Sequence, residues 1–255
     1  ARLDPFVTVD NDGQLSFAGG MPRLVGFIID GVSANDSYGL GNNATYPTNR
    51  MPISIDLVDQ VSVKIANYDA ELGEAHSGNI VLTTKAGTND FHGSLTIETT
   101  QKSGDEPFGE KTNLPDPDTE LFSFTLNGPI IEDKLFFSLG YEKYEASDPV
   151  SLLAFQSGSV TEAEANAIIA ASKNIIGYNA GSYNKASEEE DEKTFLRLDA
   201  NLSEKQNLTF TYNLTDGFTE SAYFNRTWGL PLSSNWYTIN KKYESMKLEL
   251  NSDWT

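Results

Sequence analysis

The strongest constraint on this chain is a set of segments with period-two hydrophobicity, joined by connections that alternate between short and long. Phe91, Leu95 and Ile97 share one face with Gly93, against His92, Ser94, Thr96, Glu98 and Thr100. Phe122, Phe124 and Leu126 oppose Ser123, Thr125 and Asn127, and Leu135, Phe137, Leu139 and Tyr141 oppose Ser138, Gly140 and Glu142. Segments 196–202, 208–214 and 246–254 repeat the pattern. Such alternation marks a strand with one apolar and one polar face. Tight links lie near 129–134 and 203–206, and long connections over roughly 103–119, 146–192 and 216–241. In an antiparallel order this collects the short turns at one end and the long loops at the other, as transmembrane β-barrels do. A soluble sandwich also alternates along its strands, but nothing in it sorts loops by length.

The polar faces carry Glu98, Arg197, Asp199, Lys247 and Glu249. A base facing lipid at the bilayer midplane would cost ~2–4 kcal/mol, and an acid less. These side chains are therefore expected to face a wet or filled interior. Six strands fall short of the ~8 in the smallest such barrels. An open edge in lipid leaves unsatisfied backbone groups, so the barrel is expected to be incomplete in this chain.

Composition narrows the function classes. Thirty-seven acids against 18 bases give a net charge of −19, which excludes a nucleic-acid binder built on Lys/Arg stripes. With no cysteine, a disulfide framework, a thiolate metal site and a cysteine nucleophile are excluded. Apolar residues are only 38% while aromatics reach 11%, a pairing that suits strands with one polar and one aromatic-rich face. No apolar run approaches the ~18 residues of a membrane helix; a β-barrel carries none.

Residues 1–89 read differently, as a small mixed α+β domain, with 90–255 as the barrel portion. A short apolar strand at 24–30 closes on Asp30-Gly31, a polar loop follows over 33–50, a turn runs into a strand over 53–65, and another strand covers 77–85. Inside the second long loop, Thr161 and Glu164 form a capping-box pair that predicts a helix to about Asn174, with Ala167, Ile168, Ala171 and Ile175 on one face.

Catalytic signatures are missing. Asp10-Asn11-Asp12-Gly13 starts like a calcium loop, but Met21 stands where a bidentate Glu is required. Gly39-x-Gly41-x-x-Ala44 lacks the strand–turn–helix setting of a dinucleotide site. His76 and His92 are the only histidines, and no hydrolase or metalloprotease motif is present. No enzyme activity and no cofactor are expected. The acids concentrate in the long loops, which reads first as a solvated outer face. The sharper reading is divalent-cation contact through Asp116, Asp118 and Glu120, bridging to an anionic lipid surface, or attraction of a cationic ligand.

Several motifs then occur in a recognisable order. Residues 26–32 (Gly-Phe-Ile-Ile-Asp-Gly-Val), Asn35-Asp36 and Tyr38-Gly39-Leu40 resemble the plug domain of TonB-dependent outer-membrane receptors, as do Pro52-Ile53-Ser54-Ile55 and Val61-Ser62-Val63. The densest match is Thr84-Lys85-Ala86-Gly87-Thr88-Asn89-Asp90-Phe91-His92-Gly93-Ser94, similar to the family's junction between plug and first barrel strand, with Ala86 replacing the usual Ser. Gly128-Pro129-Ile130-Ile131 and Asp133-Lys134-Leu135-Phe136-Phe137 resemble its first periplasmic turn, and the subgroup is Oar-like. The resemblance is dense from about Gly20 to Glu145 and thins beyond.

This resemblance implies a bacterial outer-membrane receptor and transporter that captures a ligand outside. It implies partnership with a TonB-type energy-transducing complex through a segment not in this chain, contact with outer-membrane lipid, and no nucleic acid. The ligand is open: siderophore, glycan, peptide and cobalamin all fit. The alternative is a barrel with a surface-interaction or secretion-associated role. Plug-loop polarity points to Asn35, Asp36, Tyr38, Asn42, Asn43, Tyr46 and Arg50 as ligand readers, and Thr84, Lys85, Gly87, Thr88, Asn89, Phe91, His92 and Gly93 form the plug–barrel junction.

Overall fold

A computed structural model describes residues 7–9, 15–17, 19–21, 25–36, 50–65, 78–101, 118–149, 160–222 and 229–254. Its larger part is one antiparallel meander of six strands: β7 (His92–Gln101), β8 (Asp118–Ile131), β9 (Leu135–Pro149), β10 (Ala186–Ser203), β11 (Gln206–Ala222) and β12 (Trp236–Ser252). Each pairs only with its sequence neighbours, and the sheet does not close.

All six alternating segments form strands, but the strands outrun the alternation. β10 is 18 residues long and β11 is 17, beyond the ~9–11 that cross a bilayer. The ladder continues where both faces turn polar, because backbone pairing does not depend on side-chain polarity. Glu188–Glu192, read from the sequence as loop, therefore lie in β10, and Asp118 and Glu120 lie in β8. The long connections shrink to match. Both short turns are tight. Ser203 registers with Gln206 across a two-residue turn, and Ile131 with Leu135 across three residues, Asp133 taking the left-handed conformation at φ 62°.

The two faces of the sheet invert the usual rule for a soluble domain. On the outer face Leu95, Ile97, Met246 and Leu248 are 65 to 71% exposed. On the inner face Ser138, Glu142, Lys193, Asp199, Asn213 and Thr215 are buried. An exposed apolar band with a buried polar lining is the arrangement that a lipid surround selects. Above the band the outer face becomes charged, with ion pairs Lys143–Glu145 and Lys242–Glu244. Tyr141 and Tyr212 stand at that border, where amphipathic rings suit the headgroup level.

The remaining strands are β1 (Val7–Val9), β2 (Leu15–Phe17), β3 (Val25–Ile29), β4 (Val32–Ser33), β5 (Val58–Ile65) and β6 (Gly78–Thr84). β1 and β2 form a two-stranded ribbon, and the others a four-stranded sheet in the order β4-β3-β6-β5, with β3 and β6 parallel. β3 is buried at all five positions, so it reads as a continuous apolar run rather than an alternation. Phe17, Phe27, Ile29, Ile53, Leu57 and Leu82 make the core, and Phe195 of β10 joins it from the six-stranded sheet. In this region the only helix among the described residues is a 3-10 turn, Ile55–Leu57. Where a mixed α+β domain is expected, the described residues show a mixed sheet with one 3-10 turn and no α-helix.

The α-helix α1 (Glu162–Ile176) lies between β9 and β10, with the capping box formed as predicted. Its buried side differs from the expected one. Ala165 is fully buried while Ile168 and Ile175 are 46% and 80% exposed. Apolar spacing located the stripe one step around the helix, because the small Ala165 makes the close approach.

Candidate functional site: the inner wall and the small sheet

The small sheet meets the inner wall through three sets of contacts. The first is built on the hairpin turn Asp30-Gly31 between β3 and β4. Both residues have positive φ, 48° and 81°, as a type I′ turn requires, and Asp-Gly is a preferred pair there. The Asp30 carboxylate accepts from the Thr84 backbone N–H at 2.9 Å and from its hydroxyl at 2.6 Å. Arg197 of β10 donates to the Thr84 carbonyl at 3.0 Å and to its hydroxyl oxygen at 3.1 Å, and lies 3.9 Å from Asp30. It also binds Asp199 with two parallel hydrogen bonds of 2.8 and 3.0 Å, the fork geometry that makes such pairs strong. Lys247 of β12 donates to the Asp30 carbonyl at 2.7 Å.

The second set is steric and polar. Leu57 seats on β9 where residue 140 is glycine; a Cβ there would come within 2.5 Å of the Leu57 side chain. Asn213 and Thr215 of β11 both donate to the Pro52 carbonyl, at 3.1 and 2.9 Å.

The third set is charged. Lys193 donates to Glu142 at 2.6 Å and lies 4.0 Å from Asp191, all three nearly buried. Arg50 enters from the small sheet's side, 3.8 Å from Glu142, with its guanidinium 3.7 Å over the Tyr144 ring. The stack adds a cation–π attraction to the ion pair.

The ligand readers expected from sequence are only partly brought together. Arg50 stands in the charged set. Asn35 turns inward, its side-chain oxygen accepting from the Phe27 backbone N–H. Asp36 is half-buried and acts electrostatically on Lys241 of β12. Tyr38, Asn42, Asn43 and Tyr46 lie outside the described residues.

Residues 84–93, which link β6 to β7, are held by hydrogen bonds and close packing. Lys85 donates to the Asp56 carbonyl at 2.7 Å, and Thr88 to the Asp90 carbonyl at 2.9 Å. At Gly87 a Cβ would come 2.6 Å from the Phe137 carbonyl oxygen, and at Gly93 2.9 Å from that of Thr125, so both positions need glycine. Asn89 exchanges two hydrogen bonds with Asp133, 2.6 Å to its side chain and 2.9 Å from its backbone N–H. Phe91 packs over Gly128 and, tilted, against Phe137. His92 is exposed at the start of β7, in register with Asn127.

Among the described residues no group of three or more His, Cys, Asp or Glu is arranged to hold a metal ion. Asp118 registers with Ser147 and Glu120 with Glu145, while Asp116 lies outside the described residues. The sequence reading placed Arg197, Asp199 and Lys247 on the interior face but missed their partners. The one available signal was an Asp-Gly turn in one region and unpaired interior bases in the other.

Comparison with known proteins agrees with this geometry. The family described as "Outer membrane beta barrel domain" matches residues 83–167. The TonB-dependent transporter Oar of Myxococcus xanthus is 34% identical over 154 residues, 55% of this chain and 13% of that protein. In fold, the ferric enterobactin receptor PfeA of Pseudomonas aeruginosa superimposes with a TM-score of 0.64 at 16% identity, over 99% of this chain and 35% of that one. The outer membrane transporter YddB of Escherichia coli gives 0.61 at 14% identity, over 94% and 31%. The chain thus spans about an eighth of its curated relative and about a third of these solved structures.

Proposed function

We propose that this chain, an outer-membrane β-barrel segment similar to TonB-dependent receptors, takes part in energised uptake of a ligand across the bacterial outer membrane. The small sheet serves as the plug and the six strands as part of the wall around it. The observation that carries this reading is a compact sheet fixed by directed hydrogen bonds to the polar wall of a larger sheet whose other face is apolar. A purely adhesive barrel has no need of such a filling. The relatives are transporters and receptors, which supports a binding and transport role over an enzymatic one.

Ligand capture is assigned to the polar segment that follows β4, with Asp36, Tyr38, Asn42, Asn43, Tyr46 and Arg50 as its readers, while the Asn35 side chain serves the Phe27 backbone N–H. Energy from the inner membrane, passed through a TonB-type complex, moves the plug and opens a path. The test is uptake in paired strains with and without TonB, both carrying the full-length protein. Uptake that is lost with TonB supports the proposal. Equal uptake in the two strains sinks it.

A further inference from the structure

The ladder between β10 and β11 stops before either strand does. Its last rung at the long-loop end pairs Glu189 with Thr219. Beyond it residues 186–188 still pair with β9, and residues 220–222 still pair with β12, but not with each other. The sheet thus forks at its rim into two flaps, β9–β10 and β11–β12. Just below the fork Gly217 faces Asp191, and a Cβ there would collide with the Glu190 carbonyl oxygen. Glycine lets the two backbones come close at the base from which the flaps diverge.

Side chains bridge the fork where the ladder has stopped, and Glu220 is at their centre. One more rung would have set Glu188 opposite Glu220. Instead the Glu188 backbone N–H donates to the Glu220 carboxylate at 3.3 Å, and the Ser187 hydroxyl donates to the Glu220 carbonyl at 2.6 Å. Lys185 donates to both oxygens of the same carboxylate, at 2.7 and 2.8 Å, and lies 5.1 Å over the Trp236 ring. Further out, the Ser233 backbone N–H donates to the Ser182 carbonyl at 2.9 Å, and the Ser182 N–H to the Ser233 hydroxyl at 3.0 Å. Between Ala180 and Ser182, Gly181 has φ 75°, and a Cβ there would collide with the Ser233 hydroxyl. The 3-10 turn Ser233–Asn235 of one flap therefore sits directly on the segment that joins α1 to β10 in the other.

We propose that the rim of the wall opens along this fork, with Glu220 as the latch that holds the two flaps together, and that α1 swings with the β9–β10 flap when the latch is released. Opening the fork breaks the side-chain bridge and the 182–233 contact and leaves the β9–β10, β10–β11 and β11–β12 ladders intact. A ladder is a row of mutually supporting backbone bonds, whereas the latch rests on one long cation whose side chain is 39% exposed. A pair of that kind contributes little beyond the entropy of holding it in place, so the fork is the weakest line at the rim and a place for a hinge. Latched, α1 and the 233–235 turn belong to one cap; released, the rim widens between β10 and β11. This goes beyond the transport reading and holds whether or not uptake depends on TonB.

Hydrogen exchange on the full-length protein in lipid nanodiscs tests the latch. Glu220→Ala should speed exchange of the Ser182 and Ser233 amides at least tenfold and leave residues 190–194 and 213–217, in the ladder below the fork, within twofold. Lys185→Met removes the same bridge from the other flap and should do the same, which keeps the test readable if one variant fails to assemble. Glu244→Ala, which breaks a nearby ion pair of β12 that takes no part in the bridge, should change neither region. Unchanged exchange at Ser182 and Ser233 in the latch variants overturns the proposal, and so does an acceleration that spreads equally down the ladder. The swing of α1 is read with spin labels on Lys173→Cys and Thr238→Cys, in full-length protein free of any other cysteine; this chain has none. Glu220→Ala should add a second, longer distance, and a single unchanged distance overturns that part.

Discussion

Arg197 on the membrane sheet donates to both the carbonyl and the hydroxyl oxygen of Thr84, a residue 113 positions earlier that ends the last strand of the small sheet. Thr84 is also the first residue of the junction motif. The same guanidinium holds Asp199 and lies near Asp30. One side chain therefore ties together the hairpin turn, the exit strand of the small sheet and the wall. Arg197→Ala leaves the largely buried Asp199 without its two-bond partner and removes a cation 3.9 Å from Asp30, and breaking such a pair costs ~3–5 kcal/mol. The expected outcome is faster proteolysis within residues 25–84 while the heat-modifiable migration of the barrel is retained. Arg197→Lys should recover only part of the protection, because an ammonium cannot reproduce the two-bond fork on Asp199.

Leu57 and Gly140 form a knob and its socket. A Cβ at 140 meets the Leu57 side chain at 2.5 Å, so Gly140→Ala should destabilise seating of the small sheet by ~1–3 kcal/mol, the range for overpacking. Leu57→Ala alone should cost ~2–5 kcal/mol as a buried truncation. The double variant should cost less than the sum of the two, because removing the Leu57 side chain relieves the clash, as measured by denaturant release of the small sheet. Strict additivity would mean that the two residues do not touch.

The capping box of α1 gives a pH response outside the membrane. The Thr161 backbone N–H, and then its hydroxyl, hold the Glu164 carboxyl below its ordinary value. A depressed carboxyl contributes stability that is present above its unfolded value and is lost as pH falls through the folded one. Amide exchange at 161–166 should therefore speed up, relative to the helix centre, as pH drops through and below the usual Glu range. Glu164→Gln should flatten that dependence. An unchanged profile in the variant would refute this account.

At the short-turn end, Asn89 and Asp133 exchange two hydrogen bonds, and Asn201 donates to the Asp133 carbonyl at 2.9 Å. Asp133 has φ 62°, which Asn and Gly also tolerate. Asp133→Asn should therefore be mild. Asn89→Ala removes both bonds at ~0.5–1.5 kcal/mol each. The check is trypsin cleavage at Lys85 in purified protein, expected to rise in Asn89→Ala and to change little in Asp133→Asn.

Much of the wall could be read from the sequence because a strand's two faces alternate residue by residue. Leu135 to Tyr141 and Leu208 to Tyr212 announce their orientation locally, and loop length announces the end they lie at. The strand tips could not be read this way. At Glu188–Glu192 both faces are polar, and only pairing with β9 and β11 makes them strand. The candidate site was legible by halves. Arg197 and Lys247 could be assigned to the interior, since lipid excludes them, but their partner Asp30 lies far away in sequence and looks like any hairpin turn. Phe195 sits on the polar face by alternation and still enters the small sheet's core, because the wall's partner there is apolar protein rather than water. No local pattern could report that. Asn35 shows the converse: its polarity and loop position suggested a ligand, and its side-chain oxygen serves a backbone N–H that no local pattern announces.

The outer apolar band supplies a last prediction, and it separates a lipid-facing wall from a soluble sheet. Leu248 is 69% exposed on β12, beside Lys247, which points inward to the Asp30 carbonyl. If the band faces hydrocarbon, Leu248→Arg should cost ~2–4 kcal/mol near the midplane and reduce assembly into the outer membrane. At a water-exposed position the same change would be nearly neutral. Thr211→Arg should also be costly, but for a different reason: it crowds a buried inner position. The two are told apart by thickness. Lengthening the lipid acyl chains should worsen Leu248→Arg and leave Thr211→Arg unaffected, because only the first side chain samples the hydrocarbon.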